Sequence, residues 1–400
     1  MIEVNEAEKI ILNHTLKVRI INLSLEKSID RVLQEDIYAD ADFPPFDRVM
    51  MDGVAIDYSE YDKGRRKFKI DGMQAAGMPQ QTLADKASCL EAMTGAILPE
   101  GCDTIIPYES LVVDEDKRWA TVQEEDAQRG RNIHQKGIDK KEGDLLITSG
   151  RTISAAEIAI MASVGKTDVK VSRHPRIALI STGDELVAIT QKPLPHQIRR
   201  SNIYALQAEL NKMGLKCSSC HIKDEKEELR SGLSEILADH EVIILSGGVS
   251  MGKLDFIPEV LEECGVTKLF HKIRQKPGKP FWFGTRNGAN VVFAFPGNPV
   301  STFMCFHRYF KPWLSKSLGI ENQASGFAVL AEDFMAKTPL TYFLQVRTTC
   351  DKSGRLLAEP LVGRGSGDHA NLLDADGFLE LGSDAKLCKK GDVFPYYPYR

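Results

Sequence analysis

The sequence predicts a multidomain α/β plus β protein. It has a central doubly wound parallel sheet, a helical and β N-terminal part with a small inserted β domain, and a C-terminal β-barrel. Three observations predict this. From residue 176 to about 320, short β-branched runs alternate with amphipathic helical stretches, as in successive βαβ units. Residues 43–134 and 321–400 break instead into short apolar segments between polar and glycine-rich turns. Residues 1–42 and 135–173, on either side of the first β-rich stretch, carry helical spacing. The expected parts are therefore 1–42 with 135–173, then 43–134, 174–320 and 321–400.

In chain order, residues 3–14 and 25–39 predict helices, the second with Ile29, Val32 and Leu33 inward and Asp30, Gln34 and Glu35 outward. Phe43-Pro44-Pro45-Phe46-Asp47 breaks that pattern and marks a boundary. Strand-like segments follow at 54–56, 67–70, 104–107 and 120–122, and again at 143–153. Ser154 and Glu157 have capping-box spacing and open a helix that Gly165 closes, expected to return onto the N-terminal helices. The run 177–180 predicts a buried strand, and 201–213 a helix with Ile203, Leu206 and Leu210 on one face. A second strand is expected at 215–222, a second helix at 227–237 and a third strand at 242–245. Asn298 stands as an N-cap before Pro299 at the first helical position, leading into a helix over 300–313.

The totals exclude several classes. Four hundred residues suggest two to four domains, and 42% hydrophobic with 27% charged residues is ordinary for a globular protein. A net charge of −5 disfavours a general nucleic-acid binder, so any anion site must be a local cluster of Lys and Arg. No apolar run approaches the roughly 20 residues of a membrane helix, and the N-terminus lacks a signal-peptide core. A cytoplasmic location is expected. Eight cysteines are scattered, and Cys217-Ser218-Ser219-Cys220 is the one CxxC. A zinc ribbon would need a second pair, so free structural thiols are expected.

The chemistry gathers at the predicted strand ends. The run 242–245 opens into Ser246-Gly247-Gly248-Val249-Ser250, where glycines let backbone N–H groups approach an anion. Lys276-Pro277-Gly278-Lys279-Pro280 predicts a stiff basic loop, and Pro296-Gly297-Asn298-Pro299-Val300-Ser301 a loop that starts a helix. Acids share the same edge: Asp184 and Glu185 after the first strand, Asp224 after the second, Asp255 beyond the third. Taken singly, the acids would complement helix dipoles or face solvent, and the lysines would be surface residues. Together they predict a phosphate pocket with Mg²⁺ between carboxylates and phosphate oxygens. No Ser-His-Asp, Cys-His or zinc-ligand spacing is evident, which disfavours nucleophilic and zinc chemistry.

These motifs resemble the MoeA/gephyrin E-domain family, the molybdopterin molybdenumtransferases, over essentially the whole chain. The matching residues begin with Pro44-Pro45-Phe46-Asp47, Met51-Asp52-Gly53-Val54-Ala55, Met93-Thr94-Gly95-Ala96, and Asn132-Ile133 with Gly137-Ile138-Asp139. They continue through Ser181-Thr182-Gly183-Asp184-Glu185-Leu186 and Arg200-Ser201-Asn202, then the glycine, lysine and Pro-Gly-Asn-Pro loops above. The resemblance implies a central domain of molybdopterin-binding type and an elongated homodimer whose N-terminal part is the dimerisation domain. It implies active sites in a cleft between the α/β domain of one subunit and the inserted β domain of the other. The implied reaction inserts molybdate into adenylylated molybdopterin, with Mg²⁺ and release of AMP.

Carried over by position, the implied catalytic residues are Asp52, Thr94, Asp139, Glu185, Asp224, Asp255, Lys276 and Lys279. The implied binding residues are Asp184, Ser246, Gly247, Gly248, Ser250, Pro296, Gly297, Asn298, Pro299, Ser301 and Arg347. In this scheme the two glycine-containing loops hold the pterin phosphate and the nucleotide. Glu185 and Asp255 ligate Mg²⁺, while Lys276, Lys279 and Ser301 receive molybdate. Asp52 and Thr94 arrive from the other subunit. A molybdopterin adenylyltransferase and molybdoenzymes are implied partners; nucleic acid and membrane are not.

The chain departs from the family pattern at three places. His134 stands where many relatives have Arg, with Lys136 as a nearby substitute cation. Arg48-Val49-Met50 replaces the usual Asn-Ser before the Met-Asp-Gly motif. Gln345 stands where an Arg is expected, and Arg347, on the same side of a strand, is expected to compensate. Related chemistry such as adenylyltransfer to molybdopterin, or hydrolysis of a nucleotide phosphate, is the enzymatic alternative, and residues 43–55 argue against adenylyltransfer. A receptor-peptide scaffold is the alternative of another class.

Overall fold

The computed structural model describes the chain except residues 117, 250–254, 321–325, 337, 364, 366, 385 and 386. It divides into two units, one of residues 1–34, 150–154 and 168–400, the other of 35–149 and 155–167.

In the first unit, the β-branched and leucine-rich runs Ile177–Thr182, Val242–Ser246 and Asn290–Phe295 form central strands covered on both faces, as the absence of polar alternation requires. The sheet order is Cys217–Ile222, Ile177–Thr182, Val242–Ser246, Asn290–Phe295, Trp282–Arg286 and Thr267–His271. Alternate residues serve opposite faces. Ile177 and Leu179 pack in one cluster with Leu206 and Leu210 of helix Asn202–Lys212. Ile180, Ile243 and Leu245 pack in another with Leu229 and Leu233 of helix Lys226–Asp239. The doubly wound reading thus holds for the first four strands, which are parallel.

The last two strands are antiparallel, so the sheet is mixed rather than wholly parallel. The cause is a tight hairpin through Asn287 and Gly288, both with positive φ (50° and 65°), the pairing such a turn demands. A second correction concerns residues 25–39, which do not form a helix. Leu25–Lys27 is a single 3-10 turn, after which Val32 bridges Thr152 and Leu33 bridges Val171. Two adjacent buried residues facing opposite ways is the habit of extended chain. Ile29, placed inward by the helical reading, is exposed.

The predicted C-terminal barrel is present. Strands Thr341–Cys350, Leu356–Pro360, Gly326–Leu330, Val393–Pro398 and Gly377–Leu381 form a ring closed by pairing of the first with the last. Leu330, Leu344, Val346, Leu379 and Leu381 fill it. The predicted helix after Pro299 extends to Ser317 in three pieces: α over Pro299–Cys305, π over Phe306–Phe310, α over Lys311–Ser317. Pro312 has no N–H to return to Arg308 and its ring needs room there, so the helix widens just before it. The widened turn buries five consecutive residues, among them Arg308. Its guanidinium donates to both oxygens of Glu8 (2.7 and 3.0 Å) and to Glu380 (2.7 Å), joining the N-terminal helix to the barrel.

The second unit contains a sheet ordered Thr104–Pro107, Gly53–Ile56, Ser88–Ala92, Lys67–Gln74, Trp119–Val122 and Leu111–Val113. Its four expected strands are present; Ser88–Ala92 and Leu111–Val113 are additional. Gly53 is required there, because a Cβ would lie 2.0 Å from the Ile106 carbonyl oxygen of the neighbouring strand. All eight cysteines are free. Cys217 and Cys220 sit three apart on one strand and therefore face opposite ways. Among the described residues no helix is long and apolar enough to cross a membrane.

Arg308→Met is expected to lower stability by about 3–5 kcal/mol, because it leaves two carboxylates without their buried partner. Denaturant midpoints measure this, and Glu8→Gln with Glu380→Gln in the same chain is expected to restore part of the loss.

Candidate functional site

The four parallel strands end level with one another: Thr182 pairs with Ile222, Ser181 with Ser246, and Ser246 with Phe295. The loops that follow therefore leave the sheet at one edge, where ligands of such sheets bind. Two of these loops touch through their backbones. Gly247 has φ 112°, and a Cβ there would lie 2.7 Å from the Thr182 carbonyl oxygen. A Cβ on Gly297 would lie 3.4 Å from the Gly247 Cα. Asn202, at the start of its helix, ties them together: Nδ2 donates to Ser246 Oγ (2.8 Å), the Gly297 carbonyl (2.7 Å) and Thr302 Oγ1 (3.3 Å). Thr302 Oγ1 donates in turn to the Pro296 carbonyl (2.6 Å). Asn298 takes the N-cap backbone position without a side-chain cap bond; Thr302 N bonds its carbonyl instead.

A cavity of about 960 Å³ opens over this edge, with Glu185, Asp224, Asp255 and Arg200 among its walls. Burial, then the charges of Asp184, Glu185 and Asp255, push the Asp224 carboxyl up to about 6. Its Oδ1 is buried without a hydrogen-bond partner. A buried carboxylate oxygen left unpaired among like charges is where a cation fits. Among the described residues no three His, Cys, Asp or Glu side chains converge as a ready-made metal site, so phosphate or water oxygens would complete the shell. Ser181 Oγ lies 3.1 Å from His221 Nδ1, yet that nitrogen is also 3.0 Å from the Ser181 carbonyl. A carbonyl only accepts, so Nδ1 is the donor and has no lone pair to activate the serine. This contact is not a nucleophilic dyad.

A second cavity of about 660 Å³ is lined by Lys276, Lys279, Ser301, Tyr342 and Gln345. It shares Pro280, Pro296 and Asn298 with the first. The basic loop is built rather than loose. Gln275, fully buried beneath it, donates Nε2 to the Gly278 carbonyl (3.0 Å) and accepts from the Tyr309 hydroxyl of the π turn. Strand Gln275–Lys276 also pairs with Thr341 and Tyr342 of the barrel.

In the second unit, Asp52 Oδ1 accepts from Thr94 N (2.7 Å) and Thr94 Oγ1 (2.8 Å). These bonds, the backbone one first, hold its carboxyl below the usual range. Asp139 lies in the turn after strand Ile133–His134, its N–H bonded to the Phe43 carbonyl (3.0 Å).

The structure thus gathers Glu185, Asp224, Asp255, Ser246, Gly247, Gly248, Pro296, Gly297, Asn298 and Pro299 around the first cavity. Asp184 stands beside Asp224, whose N–H it accepts at 3.3 Å. Lys276, Lys279 and Ser301 meet at the second. Asp52, Thr94 and Asp139 belong to the other unit. Ser250 lies outside the described residues. Arg347 is not brought to the lysine cavity: its Nε donates to the Asp374 carbonyl (3.3 Å), while Gln345 lines the wall. Sequence reasoning gave no role to Asn202, Thr302, Gln275 or Tyr309. Asn202 was visible in Arg200-Ser201-Asn202, but nothing local announced its three partners.

Fold and site together define an α/β protein with a carboxylate-lined cavity at a sheet edge beside a second cavity lined by two lysines among the described residues. Family models match nearly the whole length: MoeA N-terminal region (domain I and II) over 2–165, "Probable molybdopterin binding domain" over 178–316, and MoeA C-terminal region (domain IV) over 328–399. A molybdopterin molybdenumtransferase of Synechocystis sp. is 42% identical over 100% of both chains. One from Staphylococcus epidermidis is 30% identical over 98% of this chain and 94% of its own. The crystal structure of a molybdopterin biosynthesis MoeA protein from Pyrococcus horikoshii superposes with a TM-score of 0.82 at 28% identity, covering 100% and 99% of the chains. The chain belongs to the MoeA family of molybdopterin molybdenumtransferases.

Folded Asp224 titrates near 6 against an ordinary 3.8, so its ionisation costs the folded state stability as pH rises through that window. In chelator-treated protein, Asp224→Asn is expected to raise stability at pH 7.5 by about 1–2 kcal/mol, a figure reduced for solvent screening. Thermal melts across pH check the sign: the gain should shrink as pH falls below about 6 and vanish below about pH 3, where the carboxyl is protonated in both the folded and the unfolded state.

Proposed function

We propose that the chain is a molybdopterin molybdenumtransferase that inserts molybdate into adenylylated molybdopterin and releases AMP, in molybdenum cofactor biosynthesis. The observation that carries this reading is the common wall of the two cavities at Pro280, Pro296 and Asn298. A substrate with a nucleotide at one end and a metal-accepting dithiolene at the other can occupy both cavities and cross that wall. The glycine and Pro-Gly-Asn-Pro loops would hold the phosphates through backbone N–H groups. Lys276, Lys279 and the buried Ser301 would hold molybdate by charge-assisted and hydroxyl hydrogen bonds.

Glu185 and Asp255 would hold Mg²⁺ with phosphate oxygens, and Asp224 would lie close enough to lose its charge penalty when the cation binds. The ion would supply charge neutralisation at the phosphoanhydride. The remaining contribution of the chain would be positioning and a preset electrostatic field. Asp52, Thr94 and Asp139 would complete the site from the second subunit of a homodimer. The four-part division stated above, dimerisation through the N-terminal part, and a cytoplasmic location belong to the same reading.

Purified protein is expected to release AMP from adenylylated molybdopterin when molybdate and Mg²⁺ are both present. Glu185→Ala and Lys279→Ala should each lower the rate by about 100-fold, as loss of one charged transition-state partner does. Tight binding of the adenylylated pterin without release would overturn the transferase reading in favour of a carrier or scaffold.

A further inference from the structure

Two of the departures in the sequence meet in space. Strands Arg48–Val49 and Ile133–His134 pair antiparallel with His134 directly opposite Arg48. Arg48 Nη2 lies 3.0 Å from His134 Nδ1, and His134 Nε2 lies 3.1 Å from Asp139 Oδ1. Lys136, the other cation of this turn, is turned away: its Nζ faces Asp42 at 3.6 Å and its N–H bonds Asp47 Oδ1 at 2.7 Å.

The donor rules leave one arrangement. A guanidinium only donates, so Nδ1 must carry a lone pair; an ionised carboxylate only accepts, so Nε2 must carry the proton. The imidazolium form, with protons on both nitrogens, cannot accept from Arg48. We infer that Arg48, His134 and Asp139 form a relay in which Arg48 fixes the neutral Nε2–H tautomer of His134, and that proton aims the Asp139 carboxylate. Arg48 and His134 are positioning residues; the inference that they matter to the reaction rests on the proposed function, which places Asp139 in the site. The turn supplies the rest of the anchoring. Gly137 N bonds the Pro44 carbonyl and Asp139 N the Phe43 carbonyl, both at 3.0 Å, so the side chain is the one free element to be set. The relay also carries a positive charge to within one imidazole of Asp139, where neutral His134 alone would bring none.

The test uses the full-length protein labelled with ¹⁵N-histidine. Long-range ¹H–¹⁵N spectra are expected to show His134 with an unprotonated Nδ1 and a protonated Nε2, and Arg48→Met should free Nδ1 to take up a proton, moving its signal toward the protonated range while Nε2 stays protonated beside Asp139. In the AMP-release assay, Arg48→Met and His134→Leu should each lower kcat about ten-fold, the worth of one hydrogen bond to a charged group, with KM changed less than about two-fold. His134→Gln keeps one acceptor and one donor on a neutral side chain and should recover to within about three-fold of wild type. A wild-type spectrum with the proton on Nδ1, or equal rates for His134→Gln and His134→Leu, would overturn the relay. If wild-type protein released no AMP, the transferase reading would fall, and the histidine spectrum alone would decide whether Arg48 fixes the tautomer.

Discussion

The close approach of the Gly247 and Gly297 backbones is the constraint on which the rest of the first unit depends. Two loops from adjacent parallel strands can meet only if neither carries a side chain at the contact, and only if something pulls them together. Asn202 does the second job by donating to both loops and to Thr302, the residue that fixes the next helix. With that junction set, the first cavity has its floor and the Pro296–Asn298 segment becomes a wall common to both cavities. The π turn works from beneath. Tyr309 holds Gln275, Gln275 holds the basic loop, and Arg308 in the same turn fastens the barrel strand carrying Glu380. One widened helical turn therefore sets both the lysines and the barrel strands that face them.

Charge is partitioned across this wall. The chain is mildly acidic overall, so a basic cavity must be a local achievement. Carboxylates crowd one side until one of them, Asp224, resists ionising; lysines, a serine and an amide line the other. Under the proposed function, a substrate whose anhydride needs a cation and whose far end needs an oxyanion would meet two opposite fields in adjoining cavities. Neither field has to be created during the reaction, which is how electrostatic preorganisation lowers a barrier without a covalent step.

Much of this was legible in the sequence because it is local. Glycine pairs after β-branched runs, Pro-Gly-Lys-Pro and Asn-Pro each announce a backbone requirement, and each lies where the structure uses it. The misreadings have physical sources. The run of residues 25–39 has inward positions compatible with a helix, but Val32 and Leu33 pair with Thr152 and Val171, two separate segments far away in sequence. The antiparallel edge followed from Asn287-Gly288, a hairpin signal present in the chain and not weighed against the prevailing βα alternation. Asn202, Gln275 and Tyr309 owe their importance to partners 34–100 residues distant, and no window of sequence contains such pairs.

The two places where a neutral side chain replaces an expected arginine show how topology decides whether a charge can be supplied from elsewhere. Gln345 and Arg347 share a strand and a face, but two residues along a strand is about 7 Å of displacement. The Arg347 side chain is occupied at the Asp374 carbonyl, so being near in sequence did not bring it to the cavity. Arg48 is 86 residues from His134 and yet directly across a strand pair from it, where opposed side chains are in contact by construction. Compensation therefore follows the hydrogen-bond ladder rather than the chain. A departure on one strand is best judged by looking at the residue opposite it before its neighbours, and Gln345, whose cross-strand partner Phe378 is a buried hydrophobe, leaves its cavity with Lys276 and Lys279 as the cations among its described lining residues.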